Sequence, residues 1–210
     1  MLKNIIFDFD GVIINSHDVQ IKALKESYRE VCGNGTPPFD EFFKHCGDSL
    51  ANIFSILGLP LDMIPIYQRI SRENINNVKI FDGIIDMLEI LKQNGYKCAL
   101  CTGKDRFRTF ELLMHLNLKS YFDIVVCSDD VRYPKPHPAS LWYIMRELGG
   151  EKTESIMIGD GINDIRCAKN AGIKSIAVTW GNVNRELFLE NPPEWFVDTV
   201  EQLLERILNE

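Results

Sequence analysis

Five strand-length apolar runs constrain this chain most: NIIFDFD, KCALCTG, FDIVVCSD, SIMIGDG and KSIAVTW. Each is near-continuously apolar, the pattern of strands buried on both faces of a parallel sheet. Helical patterns lie near 83–94, 105–117, 138–149 and 162–171, the last stopped by Asn170-Ala171-Gly172. This alternation predicts an α/β fold with a doubly wound parallel sheet. About 65 residues after the first run break the rule. There, SHDVQIKALKESYREVCG, PPFDEFFKHCG, SLANIFSILG and LDMIPIYQRISRENINNV all read as helices. Pro37-Pro38 and Gly58-Leu59-Pro60 punctuate them. The expected organisation is a core of residues 1–15 and 80–210 with an all-helical domain, 16–79, inserted into it. TVEQLLERIL at the end reads as an amphipathic helix lying on the sheet.

The runs end in reactive groups. The first closes on Asp8 and Asp10, the second on Thr102, Gly103 and Lys104. Lys135 lies between two prolines in YPKPHP, and GDGIND supplies Asp160 and Asp164. Open α/β sheets bind ligands at the carboxyl ends of their strands, where all these groups should meet. Strand alternation sends Asp8 and Asp10 to the same side. Alone, an Asp-x-Asp is more often a turn or a helix cap, and a lysine before proline a solvated loop charge. Their joint occurrence at successive strand ends asks for chemistry. Two unit charges about 4 Å apart repel by roughly 4 kcal/mol at an effective dielectric near 20, so four converging carboxylates need a cation. An all-oxygen donor set selects a hard ion such as Mg2+.

Composition narrows the partners. The 210 residues carry a formal net charge of -7, which argues against a broad nucleic-acid footprint. A small anionic ligand stays compatible, because a metal and a few lysines can make a locally positive pocket. No apolar run reaches membrane-span length, and the start reads directly as a strand, so a cytoplasmic protein is expected. Six cysteines are scattered, with Cys98 and Cys101 the only close pair. Three apart on a strand, they face opposite ways and read as buried reduced thiols rather than a redox or zinc pair.

Taken in order, the motifs resemble the haloacid dehalogenase-like superfamily. DFDGV looks like its first motif, CTG its second, the lysine of PKP its third and GDGIND its fourth. The segment from Ser16 to Lys79 resembles its helical cap insertion of the first type. The resemblance implies a Rossmann-like core and Mg2+ held by Asp8, the backbone carbonyl of Asp10 and Asp160, with Asp164 acting indirectly through water. It implies phosphoryl transfer in two steps. Asp8 attacks phosphorus to form an aspartyl-phosphate, which is readily hydrolysed. Asp10 protonates the leaving alcohol and then deprotonates water. Lys135 and the metal offset phosphoryl charge, while the Thr102 hydroxyl and Gly103 amide hold phosphate oxygens. Gly11 lets the backbone pass close to phosphate.

Asp10 disfavours the dehalogenase and phosphonate-cleaving branches, which replace that residue. Sugar-phosphate mutases place a histidine twelve residues after the nucleophile; here that position is Gln20, which favours hydrolysis. Asn15-Ser16 departs from the Asp-Ser of many relatives at the hinge. The cap sequence and CTGK resemble phosphatases associated with aminohydroxybenzoate synthesis, neighbours of the phosphoglycolate phosphatase group. The implied partner is a small phosphorylated metabolite: a sugar phosphate, an amino-sugar phosphate or a phosphoglycolate-like molecule. A mutase and a non-catalytic phosphate-binding regulator are the alternatives. Lys104 lies nearer the expected phosphate and could touch substrate, although a loop lysine is more often merely solvated. Arg106 and Arg108 are expected to be a solvated helix start, and His45, His115 and Trp180 to be structural. HCGDSL is expected to face the site, with Ser49 capping a helix.

Overall fold

A computed structural model of the chain describes residues 1–181 and 183–210. The apolar runs form β1 (Asn4–Phe7), β4 (Lys97–Cys101), β5 (Ile124–Val126), β6 (Ser155–Gly159) and β7 (Lys174–Val178). With β8 (Trp195–Val197) they make one parallel sheet, ordered β5-β4-β1-β6-β7-β8. Side-chain alternation sorts each strand between two cores. Ile5, Phe7, Cys98, Leu100, Ile156 and Ile158 face α5 (Ile84–Gln93), α6 (Arg106–His115) and α9 (Val200–Leu208). Ile6, Ala99, Cys101 and Met157 face α7 (Ala139–Leu148) and α8 (Ile162–Ala171). The sheet is therefore doubly wound, and Cys98 and Cys101 point to opposite cores as free thiols.

Strand order fixes where a ligand can go. From β1 the chain winds outward through β4 to β5, then returns to the other flank of β1 as β6. The switch point lies at the carboxyl end of β1, where Asp8 begins the loop.

Three short strands escape the sequence pattern. β2 (Ile14–Asn15) and β3 (Lys79–Ile80) form a two-residue antiparallel pair, Ile14 opposite Ile80 and Asn15 opposite Lys79. Two residues are too few for a period-2 signal. β8, three residues beside Pro192-Pro193 at the sheet edge, is missed for the same reason.

The β2–β3 pair brackets α1 (His17–Cys32), α2 (Phe39–Lys44), α3 (Leu50–Ile56) and α4 (Met63–Glu73). These helices bury their own cluster, including Leu24, Phe42, Phe54, Met63, Tyr67 and Ile70. Ser49 caps α3, its side chain accepting the Asn52 amide at 3.3 Å. No helix among the described residues is long and apolar enough to cross a membrane.

Candidate active site

Lys135 sits at the centre of the strand-end groups. Its ammonium is 3.0 Å from Asp8 Oδ1, 2.5 Å from Asp164 Oδ1 and 3.0 Å from the Cys101 carbonyl. Its side chain is only 1% exposed. Burial alone would strip its proton; Asp164 and Asp8 outweigh that and hold it firmly charged.

Asp8, Asp160 and Asp164 place one carboxylate oxygen each within 4.8 Å of one another. Burial first, then the neighbouring Asp164 and Asp10, push Asp8 up to about 7 against the pull of Lys135. Burial, with Asp8 and Asp164 beside it, also holds Asp160 well above the usual carboxylate range. Asp164 is committed to protein on both oxygens: Oδ1 accepts from Lys135, and Oδ2 accepts from the Gly161 amide at 3.1 Å. Asp8 Oδ1 is buried and receives no aligned hydrogen bond, although Lys135 lies near it. An oxygen-only triad with an unsatisfied buried carboxylate oxygen fits a hard divalent cation.

Asp10 stands apart from that triad. Its Oδ1 accepts from the Ser16 hydroxyl at 2.5 Å and the Gln20 amide at 3.2 Å, and Lys104 Nζ lies 3.1 Å from Oδ2. Burial would raise its carboxyl; Lys104, Ser16 and Arg108 reverse this and hold it below its ordinary value. The first-motif carboxylates thus differ in setting: Asp8 faces carboxylates, Asp10 faces donors.

The carboxyl end of β4 brings further donors to the site. Thr102 is buried, and its Oγ1 accepts the Lys104 amide at 3.2 Å, leaving its own hydroxyl proton free to donate. Among the described residues, the amides of Phe9, Asp10 and Gly103 find no acceptor in hydrogen-bonding geometry. Two of them, Phe9 and Asp10, were not legible from residue type, because any residue carries an amide. Asp8, Asp10, Thr102, Gly103 and Lys104 line one 50 Å³ cavity together with Phe42, Cys46, Gly47, Asp48 and Tyr67.

Gly11 has a different reason for being glycine from the one the motif suggests. Its φ is +78°, and an added Cβ would lie 1.8 Å from Asp160 Oδ2. The absent side chain makes room for the Asp160 carboxylate, not only for a ligand. Gly103 is pressed by the helical segment: a Cβ there would come within 2.4 Å of the Gly47 and Asp48 carbonyls. Gly103→Ala is therefore expected to keep the melting temperature of the sheet core and lower turnover about tenfold or more through blocked closure. Limited proteolysis at 45–49, faster in the variant, checks it.

Arg108 corrects the expectation of a solvated helix start. It is 8% exposed, donates from Nε to Asp105 Oδ2 at 2.5 Å, and lines the same cavity. Arg106 does stay at the surface, paired with Asp130. A position three residues into a helix that begins at a strand end points back over the strand ends, a geometric signal that charge alone hides. Trp180 packs with its Nε1 on the Val12 carbonyl at 3.2 Å and lines a second opening beside His17, Phe43 and Phe81. His115 is exposed, and the His45 carbonyl accepts from Asn163 at 3.4 Å.

With this geometry in view, residues 5–178 match the family model described as haloacid dehalogenase-like hydrolase. The chain belongs to the haloacid dehalogenase-like hydrolases. It is 30% identical over 207 residues to the pyrophosphatase PpaX of Bacillus mycoides, covering 97% of this chain and 95% of that one. A crystal structure of a haloacid dehalogenase-like hydrolase from Bacteroides fragilis superposes with a TM-score of 0.85 at 26% identity. It covers 97% of this chain and 100% of that one. A hydrolase from Pseudomonas syringae shares the fold at a TM-score of 0.87 and 19% identity, covering 99% of this chain and 98% of that one. The chain is a phosphatase-type hydrolase of this family.

Proposed function

We propose that this enzyme hydrolyses a small phosphate ester through an aspartyl-phosphate on Asp8, with the helical segment 16–79 acting as a cap over the site. The observation that carries the reading is the setting of Asp8. It is buried at the switch point, has an oxygen free of aligned hydrogen bonds, and opens on the cavity of Thr102 and Gly103. Mg2+ held by Asp8, the Asp10 carbonyl and Asp160, with Asp164 in support, would supply charge neutralisation to the phosphoryl group.

The chain's own groups then divide the work. An Asp8 oxygen attacks phosphorus as the ester oxygen departs. Asp10 gives that oxygen a proton, then accepts one from the water that attacks the phosphoryl-Asp8 bond at phosphorus, regenerating Asp8 and releasing phosphate. An arriving phosphate dianion raises the proton affinity of Asp10, offsetting Lys104 and preparing it as the acid. Thr102 and the free amides of Phe9, Asp10 and Gly103 hold equatorial oxygens. Lys135 holds Asp8 and Asp164 in place and pulls against the burial that raises Asp8. Gln20 donates to Asp10 and Ser16 and has no titrating nitrogen to shuttle a proton, which supports hydrolysis over mutation.

The test is phosphate release from p-nitrophenyl phosphate and a panel of small esters, with inorganic pyrophosphate included because of the PpaX likeness. Stoichiometric phosphate, lost on chelation and restored by Mg2+, is expected. An isomerised product without free phosphate would instead indicate a mutase.

Stability should report the same cluster. Asp8 takes up its proton more readily folded than unfolded, so its contribution in chelator is favourable at low pH and is lost as pH rises toward and through about 7. A cation opposes that loss. The rise in melting temperature on adding Mg2+ is expected to be larger at pH 8 than at pH 5, measured by calorimetry.

A further inference from the structure

Arg108 does more than the fold requires. Of its guanidinium nitrogens only Nε bonds Asp105, and among the described residues nothing accepts a hydrogen bond from Nη1 or Nη2. A guanidinium offers five N–H donors in a rigid fork, and its two-pronged end is the part suited to a carboxylate or phosphate. Here that end belongs to a nearly buried side chain lining the reaction cavity. The fork is held from both sides of the closure. Asp105 caps α6 and also accepts from Gln68 of α4 at 3.2 Å, while the Tyr67 ring centroid lies 5.9 Å from the guanidinium carbon. Such fixing limits the entropy lost when a ligand is engaged.

Lys104 is the second cation. It is 10% exposed, reaches Asp10 at 3.1 Å and lines the same cavity. Lys104 and Arg108 line the side of the site formed by this cavity, whereas Asp160 and Asp164 do not line it. That side is where a leaving group must depart if Asp10 is to protonate it. The cavity, 50 Å³, has room for about four water-sized positions.

We propose that Arg108 and Lys104 form an anion subsite for the leaving group, so that the preferred substrate carries a second carboxylate or phosphate within a few bonds of the scissile phosphorus. This rests on the phosphatase reading and deepens it. Bidentate capture by Arg108 supplies the selection. Lys104, shared with Asp10, draws the second anion toward the acid that serves the departing oxygen.

The experiment compares two isosteric esters, phosphoglycolate and the phosphate ester of glycolamide, with p-nitrophenyl phosphate as reference. Wild type should favour the carboxylate over the amide in kcat/KM by at least about tenfold, the scale of a charge-assisted hydrogen bond. Arg108→Gln should bring that ratio to within about twofold of one, and Arg108→Lys should restore part of it. A binding arm avoids turnover: in an Asp8→Asn background, methylenediphosphonate should raise the melting temperature more than methylphosphonate, and Arg108→Gln should erase the difference. Hydrolysis of p-nitrophenyl phosphate with no wild-type preference between the two esters, or a preference unchanged by Arg108→Gln, overturns the subsite alone. No Asp8-dependent hydrolysis of any of the three overturns the phosphatase reading, and the subsite with it.

Discussion

Asp8→Asn is expected to slow phosphate release by roughly 10⁴-fold or more while the protein remains folded, since removing a nucleophile forfeits the covalent route. The substitution keeps size and shape, so the strand end and Lys135 stay in place. It also removes one of three carboxylates that each place an oxygen within 4.8 Å of the others. Stability in chelator should therefore hold or rise even as activity vanishes. This opposite movement separates a catalytic role from a structural one. Steady-state assays with p-nitrophenyl phosphate and a denaturant midpoint on the same preparation give both numbers. A variant that retains turnover, or loses it only by unfolding, contradicts the assignment.

Lys135→Ala should be the most damaging single change to stability in the site. Among the described residues the ammonium is the one cation touching both Asp8 and Asp164, and it also donates to the Cys101 carbonyl. Removing one partner of a buried ion pair leaves uncompensated charge and destabilises by about 3–5 kcal/mol. Part of that loss is recovered if Asp8 takes up a proton, so the deficit should grow as pH rises. Part should be recovered by Mg2+, which offers the same carboxylates a replacement charge. Urea midpoints at two pH values, with chelator and with Mg2+, check the order. A midpoint equal to wild type in chelator would contradict the role given to Lys135.

Much of the fold was readable because its strands are buried on both faces. SIMIGDG and KCALCTG leave little doubt about a parallel sheet, and strand ends are where such sheets bind ligands. The elements that escaped are those whose signal depends on pairing rather than pattern: β2, β3 and the edge strand β8. At the site, residues with side-chain chemistry were legible and their mutual geometry was not. Asp8 and Asp10 look equivalent in FDFDG; only the fold places one among carboxylates and the other among Ser16, Gln20 and Lys104. Arg108 read as solvent-facing because a charge near a helix start usually is; its burial depends on Tyr67, forty-one positions earlier, closing over it. Gly11 was recognised as special, but the Asp160 carboxylate behind that need became visible only once two distant loops met.

In the proposed mechanism Asp8 carries the phosphoryl group. The most direct measurement is an acid quench during turnover with Mg2+, reduction of any acyl-phosphate with borohydride, and peptide mass spectrometry. A substrate-dependent reduced product at position 8, absent in Asp8→Asn, is the result predicted here. Turnover with no trapped adduct under conditions that capture other acyl-phosphates, or an adduct at a different residue, would contradict it.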